Sequence, residues 1–252
     1  VFRGILGLLL VIMVITVHEA GHFLMCRAMG VGVEEFSIGI GPVVYYHQFS
    51  VTKLTVRPLL VGGFNRPNQE ALTKSPASIK VLIYLAGMLM NVFFAFLIFL
   101  LWGKQIGKVG RLFGAIRGSF GVWLQSLPSL LGQIARRDFS KFYGPIGVLR
   151  MLSTTELSWR IFLWQFASLN VGVAVFNLLP FQPCDGGKFI SLLIKAVEGE
   201  PARVATFYDL ASMMILFIIA ARILRADFAA PKKVLLPRNR FKKRKRPCKR
   251  RK

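Results

Sequence analysis

Charge is scarce in this sequence, and that scarcity first limits the class of protein. Only 18% of the 252 residues are Asp, Glu, Lys or Arg, whereas 54% are hydrophobic. Soluble domains carry about 25% charged residues, so the composition argues against an ordinary water-exposed fold. The mean hydropathy of +0.53 agrees. The sequence therefore predicts a membrane protein.

Cysteine is sparse as well. Cys26, Cys184 and Cys248 are scattered thiols without paired spacing, which excludes a disulfide framework and argues against a thiolate zinc site. We interpret all three as small buried or incidental residues. No internal repeat is evident either, and this makes an inverted-repeat transporter less favoured.

Acidic residues are few, and the resulting basic excess is concentrated at one end. Residues 231–252 contain thirteen Lys or Arg and no acid. We expect residues 1–228 to form one membrane domain and residues 229–252 a disordered basic tail. Such a tail would either contact anionic lipid head groups, with about 1 kcal/mol per basic residue, or remain solvated. It lacks interleaved aromatics, which argues against a nucleic-acid partner.

Long uncharged runs predict the membrane spans. Val81–Trp102 and Ile161–Phe181 contain no charge, and each is long enough to cross about 30 Å of hydrocarbon. A first span begins with the apolar stretch Gly4–Val17, and a weaker fourth lies at Val204–Ala221, where Asp209 interrupts it. The predicted fold is a membrane α-helical protein with about four transmembrane helices.

A cleaved signal peptide is the alternative for the first segment. No small-residue cleavage site follows its apolar core, which continues through Phe23, Leu24 and Met25. A retained span is therefore expected.

The connecting segments predict smaller elements beside the membrane. Residues 31–64 alternate β-branched and aromatic residues with polar ones and contain turn glycines, which indicates a small sheet or hairpin after the first helix. Its strands from Val43 to Val56 offer an edge that could capture an extended substrate. Residues 111–137, with Trp123, favour an interfacial amphipathic helix, with a re-entrant segment as the alternative.

Two histidines and a glutamate interrupt the first span. His18 and His22 are four residues apart, so on a helix they share one face and can reach one metal ion. Glu19 lies beside them, as the general base does in HExxH zinc hydrolases. Ionisable groups inside a bilayer are costly, which favours a functional role for this motif.

A catalytic zinc requires a third protein ligand. His47 lies in the strand-rich region and is interpreted as a surface residue. Asp185 follows Pro180 and Pro183 and precedes a glycine pair, so it is expected on a broken helix end that can turn towards a metal. An interfacial turn without a metal is the alternative for Asp185.

These motifs together resemble the site-2 protease family of intramembrane zinc metalloproteases. HEAGH at 18–22 lies in the first span, and NLLPFQPCDG at 177–186 ends the third. Between these two motifs lie EEFSIGIGP at 34–42, GGF at 62–64 and YGPIGV at 143–148. They occur in the same order in the bacterial branch that cleaves anti-sigma factors, which this sequence resembles. The resemblance covers residues 10–228.

This resemblance implies a role for each motif residue. His18, His22 and Asp185 would bind Zn²⁺, Glu19 would be the catalytic base, and Asn177 would hold substrate or the developing oxyanion. The implied substrates are single-pass membrane proteins of the anti-sigma-factor or signal-peptide-remnant type. The implied location is the bacterial inner membrane.

The sequence departs from that branch in one respect and leaves its orientation open. Members usually carry a PDZ domain between the second and third spans, but residues 103–160 are too few for one beside the amphipathic helix. The family arrangement puts both ends outside the cytoplasm, whereas the positive-inside rule puts the basic tail inside.

Two other functions stay open on the sequence alone. A metal transporter would spread its ligands over several spans, and a non-catalytic zinc-binding scaffold would usually have lost Glu19 or a ligand. The intact motifs favour the protease.

Overall fold

The computed structural model describes residues 2–102, 132, 136, 158–199 and 201–229. The predicted interfacial helix at 111–137 therefore lies almost wholly outside the described residues, as does the basic tail beyond residue 229. The elements are α1 (Phe2–Ala28), β1 (Val33–Ile40), β2 (Tyr45–Phe49), β3 (Thr52–Val56), β4 (Leu59–Pro67), α2 (Gln69–Lys74), α3 (Ala77–Trp102), α4 (Trp159–Asn177), α5 (Asp185–Glu198) and α6 (Arg203–Ala229).

Within the described part of the chain, three helices are long and apolar enough to cross a membrane. They contain the stretches Arg3–Ala28, Ala77–Leu100 and Arg203–Arg225. The predicted span Ile161–Phe181 differs, because its helix ends at Asn177. At about 1.5 Å per residue the apolar stretch 161–177 is about 25 Å long, short of the hydrocarbon core of about 30 Å. A mostly helical membrane fold with a small sheet is confirmed.

The sheet has the strand order β2-β3-β1-β4. β1 pairs in parallel with β3, Phe36 opposite Leu54, and antiparallel with β4, Phe36 opposite Asn65. The edges are thus β2, which is exposed along its whole length, and β4, which contacts α1. The substrate-binding edge predicted at Val43–Val56 is therefore only partly an edge. Its second strand, β3, lies inside the sheet between β2 and β1.

The helices α1, α3 and α4 pack around one buried apolar cluster. A side chain at Gly21 of α1 would meet the backbone carbonyl of Ala86 and lie 2.8 Å from Met90 Cβ. Glycine at this point therefore permits the close approach of α1 to α3, as small residues do between membrane helices. The cluster comprises Leu10, Val14, Ala95, Ile98, Phe166, Ala167, Val171 and Val175.

Asp209 brings a carboxylate into the apolar helix α6. Its two oxygens accept hydrogen bonds from Gln182 Nε2 at 2.9 Å and Ser191 Oγ at 3.0 Å. These donors offset the cost of placing an ionisable group in an apolar helix. The same bonds attach α6 to α5 and to the loop after α4.

The sheet is held together by a buried carboxylate. Glu35 Oε1 accepts from Thr55 Oγ1 and from Arg57 Nη2, both at 2.7 Å, and Arg66 Nη1 lies 3.4 Å from Oε2. Burial alone would raise the pKa of Glu35, but these hydrogen bonds and the two guanidinium charges outweigh it and hold the pKa below its ordinary value.

We predict that Glu35→Gln lowers the thermal unfolding midpoint at neutral pH, since a hydrogen bond to a charged group contributes about 1.5–3 kcal/mol. In the wild type, a depressed carboxyl pKa stabilises the fold above the unfolded pKa of about 4.3. That stability is lost as the pH falls through the folded pKa. Thermal unfolding of the detergent-solubilised protein between about pH 3 and pH 7 measures both effects.

The neighbouring substitution Glu34→Gln is the control, because Glu34 accepts only an exposed hydrogen bond from Asn68. Equal midpoints for Glu35→Gln and the wild type at neutral pH would contradict the stabilising role.

Candidate metal centre

Two imidazoles occupy adjacent turns of α1. His18 and His22 are 5% and 7% exposed, and their Nε2 atoms lie 3.2 Å apart. The four-residue spacing puts both rings on the helix face that packs on α3. The first two predicted ligands thus point their nitrogens at a common point.

Asp185 reaches the same point from the break between α4 and α5. The loop 178–184 folds back on the first turn of α5, where side chains at Gly186 and Gly187 would lie 2.7 Å from Leu179 O and 2.6 Å from Gln182 N. Only glycine allows this approach. Asp185, at the first position of α5, is 2% exposed, and its Oδ2 lies 3.0 Å from both histidine Nε2 atoms.

The donor chemistry of this group fits a divalent cation. His22 Nδ1 donates to the carbonyl oxygen of Ile83 at 2.7 Å, which leaves a lone pair on Nε2 in the neutral ring. That lone pair faces the oxygen of Asp185, so two acceptors meet at 3.0 Å. A cation between them relieves this repulsion, and a backbone partner on the second ring nitrogen is typical of metal-bound histidine.

The distances fit zinc. Tetrahedral bonds of about 2.0–2.1 Å place neighbouring ligand atoms about 3.3 Å apart. The three separations here are 3.0, 3.0 and 3.2 Å. Among the residues that the structure describes, His18, His22 and Asp185 are the group whose ligand atoms converge in this way.

Gly87 of α3 leaves room for the two imidazoles. A Cβ at this position would lie 2.7 Å from His18 Cε1 and 2.8 Å from His18 Nε2, and would also collide with His22 Nε2. The absence of a side chain at Gly87 is therefore a requirement of the metal group itself.

Glu19 lies beside the three ligands without joining them. It is partly exposed, and a Cβ built on Gly63 of β4 would come 3.5 Å from Glu19 Cγ. Glu19 stands three residues before His22 on α1, so the two side chains lie on the same flank of the helix. This is the position of a neighbouring base, and the catalytic role of Glu19 stays a prediction.

Two other residues considered from the sequence form their described contacts with residues other than the three ligands. Asn177 is the last residue of α4, and its Nδ2 donates to Val173 O at 3.0 Å. One N–H of its amide is thus engaged by its own helix, which leaves the second N–H for a substrate. His47 lies on the exposed strand β2, in agreement with its interpretation as a surface residue.

Lys188 is a site residue that the sequence reasoning missed. Its Nζ donates to Asp185 Oδ1 at 2.9 Å across one turn of α5. The ammonium charge holds one carboxylate oxygen and leaves Oδ2 for the histidine side. The available signal was a lysine three residues after the aspartate, on the helix that the glycine pair begins.

A buried His-His-Asp group, with both histidines in an apolar helix, defines a membrane protein with a zinc centre. Residues 6–221 match the profile of peptidase family M50, and the chain belongs to that family. The resemblance to site-2 proteases, and zinc as the cofactor, are thereby confirmed.

Named relatives agree with this family. The chain is 34% identical over 110 residues to "Putative zinc metalloprotease all3971" of Nostoc, covering 38% of this chain and 29% of the relative. It is 35% identical over 113 residues to "Putative zinc metalloprotease Cj1068" of Campylobacter jejuni (36% and 31%). It is 30% identical over 106 residues to "Membrane metalloprotease ARASP, chloroplastic" of Arabidopsis thaliana (37% and 24%). Each match spans less than a third of the relative's length.

We predict that Gly87→Ala abolishes or greatly weakens zinc binding, because the added methyl group occupies the space of the imidazoles. Helix propensity works in the opposite direction, since alanine is favoured over glycine by about 0.8–1.0 kcal/mol in a helix. Zinc per chain after dialysis, measured by elemental analysis, is the readout.

Gly172→Ala on α4 is the matched control, because no atom lies within 4 Å of a Cβ there. The control variant should keep its zinc. Full zinc occupancy in Gly87→Ala would show that the rings are placed differently.

Proposed function

We propose that this protein is an intramembrane zinc metalloprotease that hydrolyses peptide bonds within or near the transmembrane segments of single-pass membrane proteins. The observation that carries the proposal is the group of three converging ligands, His18, His22 and Asp185, with Glu19 about one turn before His22 on the same helix. Two of the ligands lie in the apolar stretch Arg3–Ala28. A hydrolytic site built into such a helix suits substrates that are themselves in the membrane.

The chemistry follows from the positions of the charged side chains. When bound, zinc supplies Lewis acidity that polarises a peptide carbonyl and lowers the pKa of water. Glu19 takes the proton from the attacking water and delivers it to the leaving amine. Lys188 holds Oδ1 of Asp185 and keeps that carboxylate oriented towards the histidines. Asn177 would donate a hydrogen bond to the substrate backbone or oxyanion through the N–H of its amide that Val173 does not accept.

We infer that the substrate binds along β4. A peptide bond in a transmembrane helix is shielded by its own turns, so the helix must unwind before attack. β4 pairs with β1 on one side, and its other side pairs with no described strand. Since Gly63 of β4 lies against Glu19, a strand added at this edge would pass the catalytic base.

A photo-crosslinking residue at Phe64 should capture a substrate that binds to the β4 edge. The same residue at Tyr46 should not, because β2 lies at the opposite edge of the sheet. Both variants are made in the Glu19→Gln background so that the substrate stays uncut. Crosslinked products are identified by mass spectrometry. Capture at Tyr46 alone would return the binding edge to β2.

The proposal extends to how the protein lies in the membrane, where it is located and what it cleaves. α4 and the loop after it would complete a fourth crossing, and the basic residues after position 230 would contact anionic lipid head groups. The bacterial plasma membrane is the proposed location, with anti-sigma factors or signal-peptide remnants as substrates. Cysteine labelling from each side of the membrane would distinguish the family orientation from the positive-inside orientation.

Glu19→Gln is the decisive test of the enzymatic function. We expect cleavage to fall by at least about 10²-fold, because the amide cannot accept the proton. The purified variant should still hold about one zinc per chain, since the three ligands are intact. Asp185→Asn is the matched control, which should lose zinc and activity together.

The measurement compares the membrane proteomes of cells carrying the wild type, Glu19→Gln or Asp185→Asn. At least one single-pass protein should accumulate uncut in both variants. Identical proteomes in all three strains, with zinc retained in Glu19→Gln, would contradict the proteolytic function.

A further inference from the structure

Three buried side chains in the packed helices have polar atoms without a hydrogen-bond partner. Among the described residues they include Nδ1 of His18 on α1, both amide atoms of Asn91 on α3, and Oδ1 of Asn170 on α4. Asn91 and Asn170 are both 0% exposed. A buried polar group without a partner is destabilising, so the concentration of such groups near one ligand calls for an explanation.

The register of α3 against α1 puts Asn91 beside His18. Ile83 O accepts from His22 Nδ1, and Gly87 lies against the rings of His22 and His18. As the residue number rises along α3, the contacted residue number falls along α1, so these helices are antiparallel. Asn91 is one further turn along the same face of α3, because Ile83, Gly87 and Asn91 are each four residues apart.

Apolar contacts on both sides agree with this position. The buried cluster of α1, α3 and α4 includes Val14, one turn before His18, and Ala95, one turn after Asn91. It also includes Val171, next to Asn170. The three helices therefore pack together at the level of the three unpartnered groups.

The second ring nitrogen of a metal-bound histidine normally donates to an outer partner, which fixes the tautomer and ring orientation. His22 has this partner in Ile83 O. His18 binds through Nε2, so its Nδ1 carries the proton and requires an acceptor. The backbone of α3 provides the acceptor at one ligand, and a side chain of α3 is available at the other.

We propose that Asn91 is the positioning residue for His18. In the zinc-loaded protein its Oδ1 accepts the hydrogen bond from His18 Nδ1–H, directly or across one water, and its Nδ2 donates towards Asn170 Oδ1. This chain gives each of the unpartnered groups a partner of the correct kind. The inference concerns the zinc site and is independent of whether the protein cleaves peptides.

Asn91→Leu removes the amide and keeps a similar volume. We expect zinc affinity, measured in the purified full-length protein by competition with a chromophoric chelator, to fall by about 10–100-fold. Asn91→Asp keeps the shape and an acceptor oxygen, so its zinc affinity should return towards the wild-type value.

If Asn91 had only a structural role, the Asn91→Leu variant would behave differently. Replacing an unpartnered buried amide by leucine would then raise the thermal midpoint of the metal-free protein and leave its zinc affinity unchanged. Unchanged affinity in folded Asn91→Leu would overturn the proposal.

The wild type supplies a second measurement that needs no variant to fold. In zinc-loaded protein with ¹⁵N-labelled histidine, the His18 Nδ1 proton should be protected from exchange with solvent, as the His22 Nδ1 proton should be. Rapid exchange at His18 beside protection at His22 would also overturn the proposal.

Discussion

The meeting of Asp185 Oδ2 with two imidazole nitrogens at 3.0 Å is the interaction on which the rest of the structure depends. In the neutral ring, His22 donates its single N–H to Ile83, so the nitrogen facing the carboxylate is itself an acceptor. Two acceptors at this distance repel one another unless a cation lies between them. The glycines at positions 21 and 87 both let α3 approach α1 closely. This close approach forms the wall of the metal site.

The break between α4 and α5 is the second constraint. Unwound backbone among apolar helices is tolerated only where its polar groups find partners in the protein. Here α6 provides them, because Tyr208 donates to Pro180 O at 2.8 Å and Ser212 Oγ accepts from the backbone N–H of Gln182 at 3.2 Å. Through these bonds, α6 supports the loop that delivers Asp185 to the histidines. The carboxylate of Asp209 belongs to the same support, which explains an acidic residue in this helix.

Sequence reasoning succeeded where the chemistry is local. The spacing of His18 and His22, and the glycine pair after Asp185, are patterns within one or two helical turns. Contacts between helices leave no such pattern, so Gly87 and Asn91 resembled ordinary residues of an apolar span. Lys188 was missed although its ion pair with Asp185 lies within one turn of α5. Hydropathy also extended the third span past Asn177, because it counts apolar residues and does not register the hydrogen bonds that prolines cannot donate. Alternation predicted strands, but the parallel pairing of β1 with β3 is non-local.

Exposure around the metal group indicates where water enters. The three ligands are less than 10% exposed, whereas Glu19 is partly exposed and the side chain of Lys188 is 42% exposed. Charged groups facing lipid would be costly, so the side of the site that carries Glu19 and Lys188 is the side that meets water. β4 passes Glu19 on that side. The site therefore combines an apolar wall with a polar opening beside Glu19. If the proposed function is correct, the wall suits a membrane-embedded substrate and the opening admits the water that hydrolysis consumes.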